Sequence, residues 1–212
     1  LLEAAMSEAD CAIAIAIGRG EAEKAIANGA NLLIAGDMGI GNTTASACII
    51  CRITGASAEN VVGFGTGIDQ PGQQRKIDVV KGALSRISGC TDNQLLQQVG
   101  GFEIAAMAGF YLQAAESGVP VVIDGFIASA AALAARVIEP EVINWMLASH
   151  VSQEHGHAQA LDALRIEALI NFEMRLGEGS GAAVINPLLK SAIALHNEMA
   201  TFENAGVTDR DG

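Results

Sequence analysis

The sequence predicts an α/β fold, a parallel sheet covered by helices on both faces. Three observations predict it. Short apolar runs recur along the chain, as buried strands do. The clearest of them, Asn31–Ala35 and Val119–Ile123, run into turns with glycine, Gly36–Thr44 and Asp124–Phe126. Each turn then opens an apolar helical pattern. Strands that alternate with helices join through right-handed crossovers, and the loops after the strands gather at one sheet edge.

Taken in order, the chain opens with two helical patterns, Leu2–Ala16 and Arg19–Asn28, stopped by Gly29. A start in mid-helix without methionine reads as that of a trimmed chain. The first strand and its glycine turn lead into a helix to about Ile53, broken by Gly55-Ala56-Ser57. Asn60–Phe64 reads as a strand entering a second glycine turn, Gly63–Gly67, and Gln73–Ile87 as a helix. Asn93–Val99 and Ile104–Ser117 follow as helices. After the second clear strand come a helix Ile127–Val137, a strand Ile143–Ala148 and a helix Ala158–Ala168. Leu169–Leu176 is apolar but open between helix and strand. A third glycine turn, Gly177–Gly181, precedes a long helix Ala183–Phe202, in which Pro187 marks a first turn or a kink. Three units result: a helical segment 1–30, an α/β domain 31–182 and a C-terminal helix 183–212.

Composition narrows the function. The 212 residues are 50% hydrophobic with a net charge of −12, which argues against a nucleic-acid groove or an anionic membrane surface. No apolar run has the length of a membrane span, and no signal peptide is recognisable. Cys48 and Cys51 form a C-x-x-C inside a predicted helix, without a second pair to complete a zinc site. With Cys11 and Cys90 they read as buried thiols of a protein in the reducing cytoplasm.

The loops carry the candidate chemistry. In Gly36–Thr44, a strand, a glycine turn and a helix start make an anion site. Gly39 lets the backbone approach a ligand, and Asn42 and Thr43 offer hydrogen bonds or cap the helix. Asn42 stands where a P-loop would carry lysine, so the loop reads as a phosphate cradle but not an ATPase; a tight turn alone is the alternative. Asp37 would bond a ribose hydroxyl or close an Asx turn. Gly65, Thr66 and Gly67 form a second cradle that Lys76 reaches, unless that lysine is simply solvated. Asp124 ends a strand where open sheets bind ligands, or else caps a helix. His150, His155 and His157 lack the helical spacing of a zinc site, so their loop reads as polar ligand contacts with Ser152 as a donor. Glu178, flanked by Gly177 and Gly179, is either a partly desolvated carboxylate fit to accept a proton or a helix N-terminal acid complementing the dipole.

Five motifs, in order, closely resemble the nicotinate-nucleotide–dimethylbenzimidazole phosphoribosyltransferases of cobalamin biosynthesis. They are G-D-M-G-I-G-N-T-T-A-S-A from Gly36, V-G-F-G-T-G from Val62 with Lys76 downstream, V-V-I-D-G-F-I-A-S-A-A-A-L from Val121, S-H-V-S-Q-E-H-G-H from Ser149 and L-G-E-G-S-G-A-A from Leu176. The resemblance implies a Rossmann-like parallel domain with part of a small helical domain, working as a homodimer. It implies transfer of phosphoribose from nicotinate mononucleotide to 5,6-dimethylbenzimidazole, with Glu178 as general base and carboxylates such as Asp37 near the ribose. Gly65, Thr66, Gly67, Lys76 and Ser152 would hold phosphate and ribose, above Gly39 and Asn42. No cofactor or metal is implied. The sequence departs from the family where Asp37 replaces the usual glutamate and His155 a common proline. A segment that the family carries ahead of residue 1, supplying part of the small domain and base pocket, is absent. A non-catalytic nucleotide-binding relative is therefore the competing reading. A dinucleotide oxidoreductase fits poorly, because Gly63–Gly67 is one residue too tight for its fingerprint.

Overall fold

The computed structural model describes residues 2–65 and 67–206. The chain begins with one helix, α1 (Glu8–Ala27), where the sequence suggested two. Ser7 caps it by accepting from the Asp10 amide. Gly18 does not break the helix; it lets α1 press on a later one. A Cβ there would lie 1.7 Å from the carbonyl oxygen of Ala106, and one on Gly109 would lie 2.1 Å from that of Ile15. Side chains at either glycine would force the two backbones apart.

Strand β1 (Leu33–Ala35) leads to α2 (Thr43–Thr54), ended by Gly55 in the left-handed conformation at φ 72°. The strand expected at Asn60–Phe64 is instead one helical turn, α3 (Ala58–Val61), followed by loop. Val61 and Val62 are buried, which gives them the apolar signature of a strand without a strand partner. Next come α4 (Gln70–Arg86), capped by Asp69, α5 (Leu95–Val99) and α6 (Phe102–Glu116), the partner of α1. The remaining elements are β2 (Val121–Ile123), α7 (Phe126–Ile138), β3 (Met146–His150), α8 (His157–Leu164), β4 (Ala168–Ile170) and α9 (Ser180–Glu198). β3 starts later than expected because Pro140–Trp145 winds as 3-10 turns. The ambiguous run after α8 yields a strand of three residues. Pro187 lies in the interior of α9, not in its first turn.

The four strands stand in the order β1-β2-β3-β4, all parallel. Right-handed crossovers in that order put every connecting helix on one face. On that face Leu33, Val121, Ile123 and Met146 join the main core. Alternation sends Ile34, Val122, Leu147 and Leu169 to the opposite face. There α9 lies against β3 and buries Gly181, Ala182 and Ile185. Cover thins toward β4, where Leu169 is 48% exposed. Val184, Leu188, Ile193 and Leu195 of α9 are exposed as well. Cys48 and Cys51 are buried inside α2, and burial raises their thiols to about 12 and about 11, which keeps them protonated.

Candidate active site

All five loops after the strands and glycine turns meet at one cavity of about 350 Å³. Asp37, Gly39 and Thr43 line it from the first loop, and Phe64, Gly65 and Gly67 from the second. Asp124 to Ala128 come from the end of β2, His150, Ser152 and Glu154 from the loop after β3, and Arg175 to Gly177 from the segment before α9.

The first loop is built by Asp37. Its Oδ1 accepts from the Gly39 amide at 2.8 Å and from Asn42 Nδ2. The Asx turn is therefore realised. Among the described residues Oδ2 has no hydrogen bond, and Asp37 stands half-buried at the cavity wall. Asn42 does not cap α2 with its side chain, and its Oδ1 is buried without a partner among the described residues. The start of α2 at Thr43 thus keeps its amides free of a side-chain cap next to the cavity.

The second cradle joins the first through Lys76. Its Nζ donates to Thr43 Oγ1 at 2.7 Å and lies 3.4 Å from where a Cβ on Gly65 would be. Burial lowers the lysine's pKa, and the carboxylate of Glu154 works in the opposite direction. Glu154 reaches over Gly63, where a Cβ would come within 2.6 Å of its Oε2. Thr66, expected in this cradle, lies outside the described residues.

Two of the three loop histidines are buried. The Ser152 amide donates to His157 Nδ1 at 2.9 Å, so the proton of the neutral ring sits on Nε2, 3.1 Å from Ser129 Oγ. Burial, then His150, lower the pKa of His157 to about 4, which keeps it neutral. Burial lowers His150 too, while Asp124 opposes the shift. His150 Nδ1 lies 2.8 Å from Ser149 Oγ, and Ser149 donates to the Asp124 carbonyl. His155 meets Phe64 edge-on. Ser152 is buried at the wall, and its Oγ accepts from the Glu154 amide at 3.3 Å.

Asp124 lines the cavity, but both of its carboxylate oxygens are taken by backbone amides. Its Oδ2 accepts from the Gly179 amide and its Oδ1 from the Ala182 amide, both at 3.1 Å. It caps α9 from 55 residues away and is 3% exposed. The helix-cap alternative read from the sequence is realised, but for a helix that no local pattern pairs with it.

Glu178 sits in a run of left-handed residues: Gly177 at φ 80°, Glu178 at 60° and Gly179 at 78°. The conformation is uncommon for a residue with a Cβ. The Glu178 amide donates to the Asp37 carbonyl at 2.9 Å, and Ser180 Oγ donates to the Gly177 carbonyl at 2.6 Å. Gly36 makes room for the turn, since a Cβ there would meet the backbone of Glu178 and Gly179 at 2.4 Å. The Glu178 side chain is exposed. The expected desolvation is thus not supplied by the described residues, because none of them covers the Glu178 side chain. Sequence reasoning missed Glu154, whose only signal was its place two residues after Ser152. It also missed Arg175, an exposed cation at the wall just before Gly177.

A family model described as phosphoribosyltransferase (DBI_PRT) matches residues 1–207. A Chromobacterium violaceum protein named nicotinate-nucleotide–dimethylbenzimidazole phosphoribosyltransferase is 55% identical over 98% of this chain and 61% of its own length. A Bradyrhizobium diazoefficiens protein of the same name is 47% identical over 99% of the chain and 60% of its own length. A solved Thermus thermophilus structure under that enzyme name superposes with a TM-score of 0.91 at 41% identity, covering 98% of this chain and 61% of that one. The chain thus spans about three fifths of these relatives. With the five ordered motifs and the parallel four-stranded sheet, these matches make the chain a member of the phosphoribosyltransferase family.

Proposed function

We propose that this chain carries the site at which the phosphoribosyl group of nicotinate mononucleotide passes to 5,6-dimethylbenzimidazole, giving α-ribazole 5′-phosphate and nicotinate. The observation that carries the reading is the shared cavity, with Lys76 and Thr43 behind the glycine cradle and the Glu178 turn beside Gly177. The phosphate takes the amides of the Gly65–Gly67 loop and the start of α2, with the Lys76 ammonium as counter-charge. The ribose lies between Ser152 and the carboxylates of Asp37 and Glu154. One azole nitrogen attacks C1′ from the face opposite nicotinate as the C1′–N bond breaks, which inverts β to α. Glu178 takes the proton from the other azole nitrogen. Positive charge growing on the ribose is stabilised by Asp37. Glu178 is exposed in this chain, so its withdrawal from water falls to the bound base.

In the same reading, residues 1–30 are a helical segment, 31–182 the nucleotide-binding domain and α9 part of a small helical domain. The exposed apolar residues of α9 are the surface on which that domain and a homodimer would build. No helix among the described residues is long and apolar enough to cross a membrane, and the acidic chain with free thiols suits a cytoplasmic enzyme. The test is turnover of this chain with both substrates, followed by chromatography. Formation of α-ribazole phosphate with equal nicotinate supports the transferase. Binding of the mononucleotide without product favours the non-catalytic relative, for which the exposed Glu178 is the specific observation.

A further inference from the structure

We propose that Asp124 is a positioning residue for Glu178, holding the base through the backbone of α9. The inference rests on the reading of Glu178 as the base. Among the described residues the Glu178 side chain makes no hydrogen bond, so its direction is set by its own backbone. That backbone is left-handed at three successive residues and therefore needs support from both sides. On one side the Asp37 carbonyl takes the Glu178 amide. On the other, Asp124 takes the amides of Gly179 and Ala182, one with each carboxylate oxygen.

Asp124 suits this task. It follows directly on Val121–Ile123, a fully buried central strand, and so is fixed in the rigid part of the molecule. Its negative charge faces the positive end of α9, the favourable sense for a helix dipole. The helix also seats with no slack. A Cβ on Gly181 would lie 2.1 Å from His150 Nδ1 and 3.0 Å from Asp124 Oδ1. The sheet thereby fixes the first turn of α9, and the first turn fixes the residue before it. The groups near Asp124 are the two amides, the His150 ring, the buried Tyr111 phenol and the Ser149 hydroxyl on its carbonyl.

The variant Asp124→Asn keeps the size but offers one acceptor and an NH₂ that opposes the second amide. For a base displaced by a fraction of an ångström to one ångström we expect kcat to fall about 100-fold. The KM for nicotinate mononucleotide stays within about threefold, because the phosphate cradle is untouched. A merely structural loss would lower the active fraction and the melting temperature without that split. Glu178→Gln, assayed beside it, separates the two claims. If Glu178→Gln loses turnover while folded Asp124→Asn keeps wild-type kcat, the positioning role is overturned and the base stands. If Glu178→Gln keeps turnover, the base reading is overturned, and positioning with it. Amide hydrogen exchange tests the contact without turnover. Gly179 and Ala182 exchange slowly in the wild-type chain and quickly in Asp124→Asn, with Glu178 following; equal rates overturn the proposal. Should Asp124→Asn not fold, Asp124→Glu serves. It keeps the carboxylate but moves the helix start, so kcat falls with KM retained, and an unchanged kcat overturns the role.

Discussion

Lys76 shows how much one residue's meaning depends on its neighbours. Its ammonium is half-buried on Thr43 with Glu154 as the nearby carboxylate, so a bound phosphate gains a charge already held in place. A charge-assisted contact contributes about 1.5–3 kcal/mol, so Lys76→Met should weaken nicotinate mononucleotide binding roughly ten- to a hundredfold in calorimetry. Glu178→Gln should bind the mononucleotide as the wild type does and lose most turnover, because it keeps shape and removes only the proton acceptor. Unchanged turnover would remove Glu178 from the base role. Gly36 belongs at the same scale, because its missing Cβ is the space the Glu178 turn occupies.

Among the elements, the α1–α6 pair offers the sharpest contrast. Gly18 and Gly20 lie two residues apart in one helix. A Cβ on Gly18 would collide with the α6 backbone, whereas one on Gly20 meets nothing within 4 Å. Gly18→Ala should therefore destabilise by about 1–3 kcal/mol through forced separation of the helices. Gly20→Ala should stabilise by about 0.5–1 kcal/mol through helix propensity. Urea unfolding of the two variants checks both signs, and destabilisation by Gly20→Ala would show that α1 is not one helix there. α3 makes the opposite point. Val61 at its end and Val62 just after it look like strand because both are buried, yet no strand partner lies beside them.

For the whole molecule, the junction of α7, β3 and α8 closes around neutral histidines. His157 titrates near 4 in the folded chain against 6.5 in the ordinary case, so the unfolded chain takes up the proton first as pH falls. The stability it contributes is complete above pH 6.5 and is lost as pH falls toward 4, with a slope of at most about 1.4 kcal/mol per pH unit. His150, shifted the same way by burial, adds to it. Denaturant unfolding between those limits should show this slope, and His157→Gln should flatten it. A slope unchanged in His157→Gln would place the proton uptake elsewhere.

The sequence by itself determined the alternation of strand, glycine loop and helix at β1 and β2. Local signals suffice for that: apolar runs, glycines and helical periodicity all act within a few residues. It also marked Asp37, Asn42, Lys76 and Glu178 as groups worth testing, since each sits in or near a glycine turn. The tertiary structure alone decided what those groups face. Gly18 falls between the two helical patterns read from the sequence, and only the crossing with α6 makes it a contact surface. Asp124 reads as a ligand group or the cap of the next helix, yet it holds one 55 residues further on. Val61 reads as strand, and only its neighbours make it a buried helical turn. In each case the deciding interaction joins residues distant along the chain. Burial and hydrogen-bond partners of that kind are set by packing, which local periodicity does not encode.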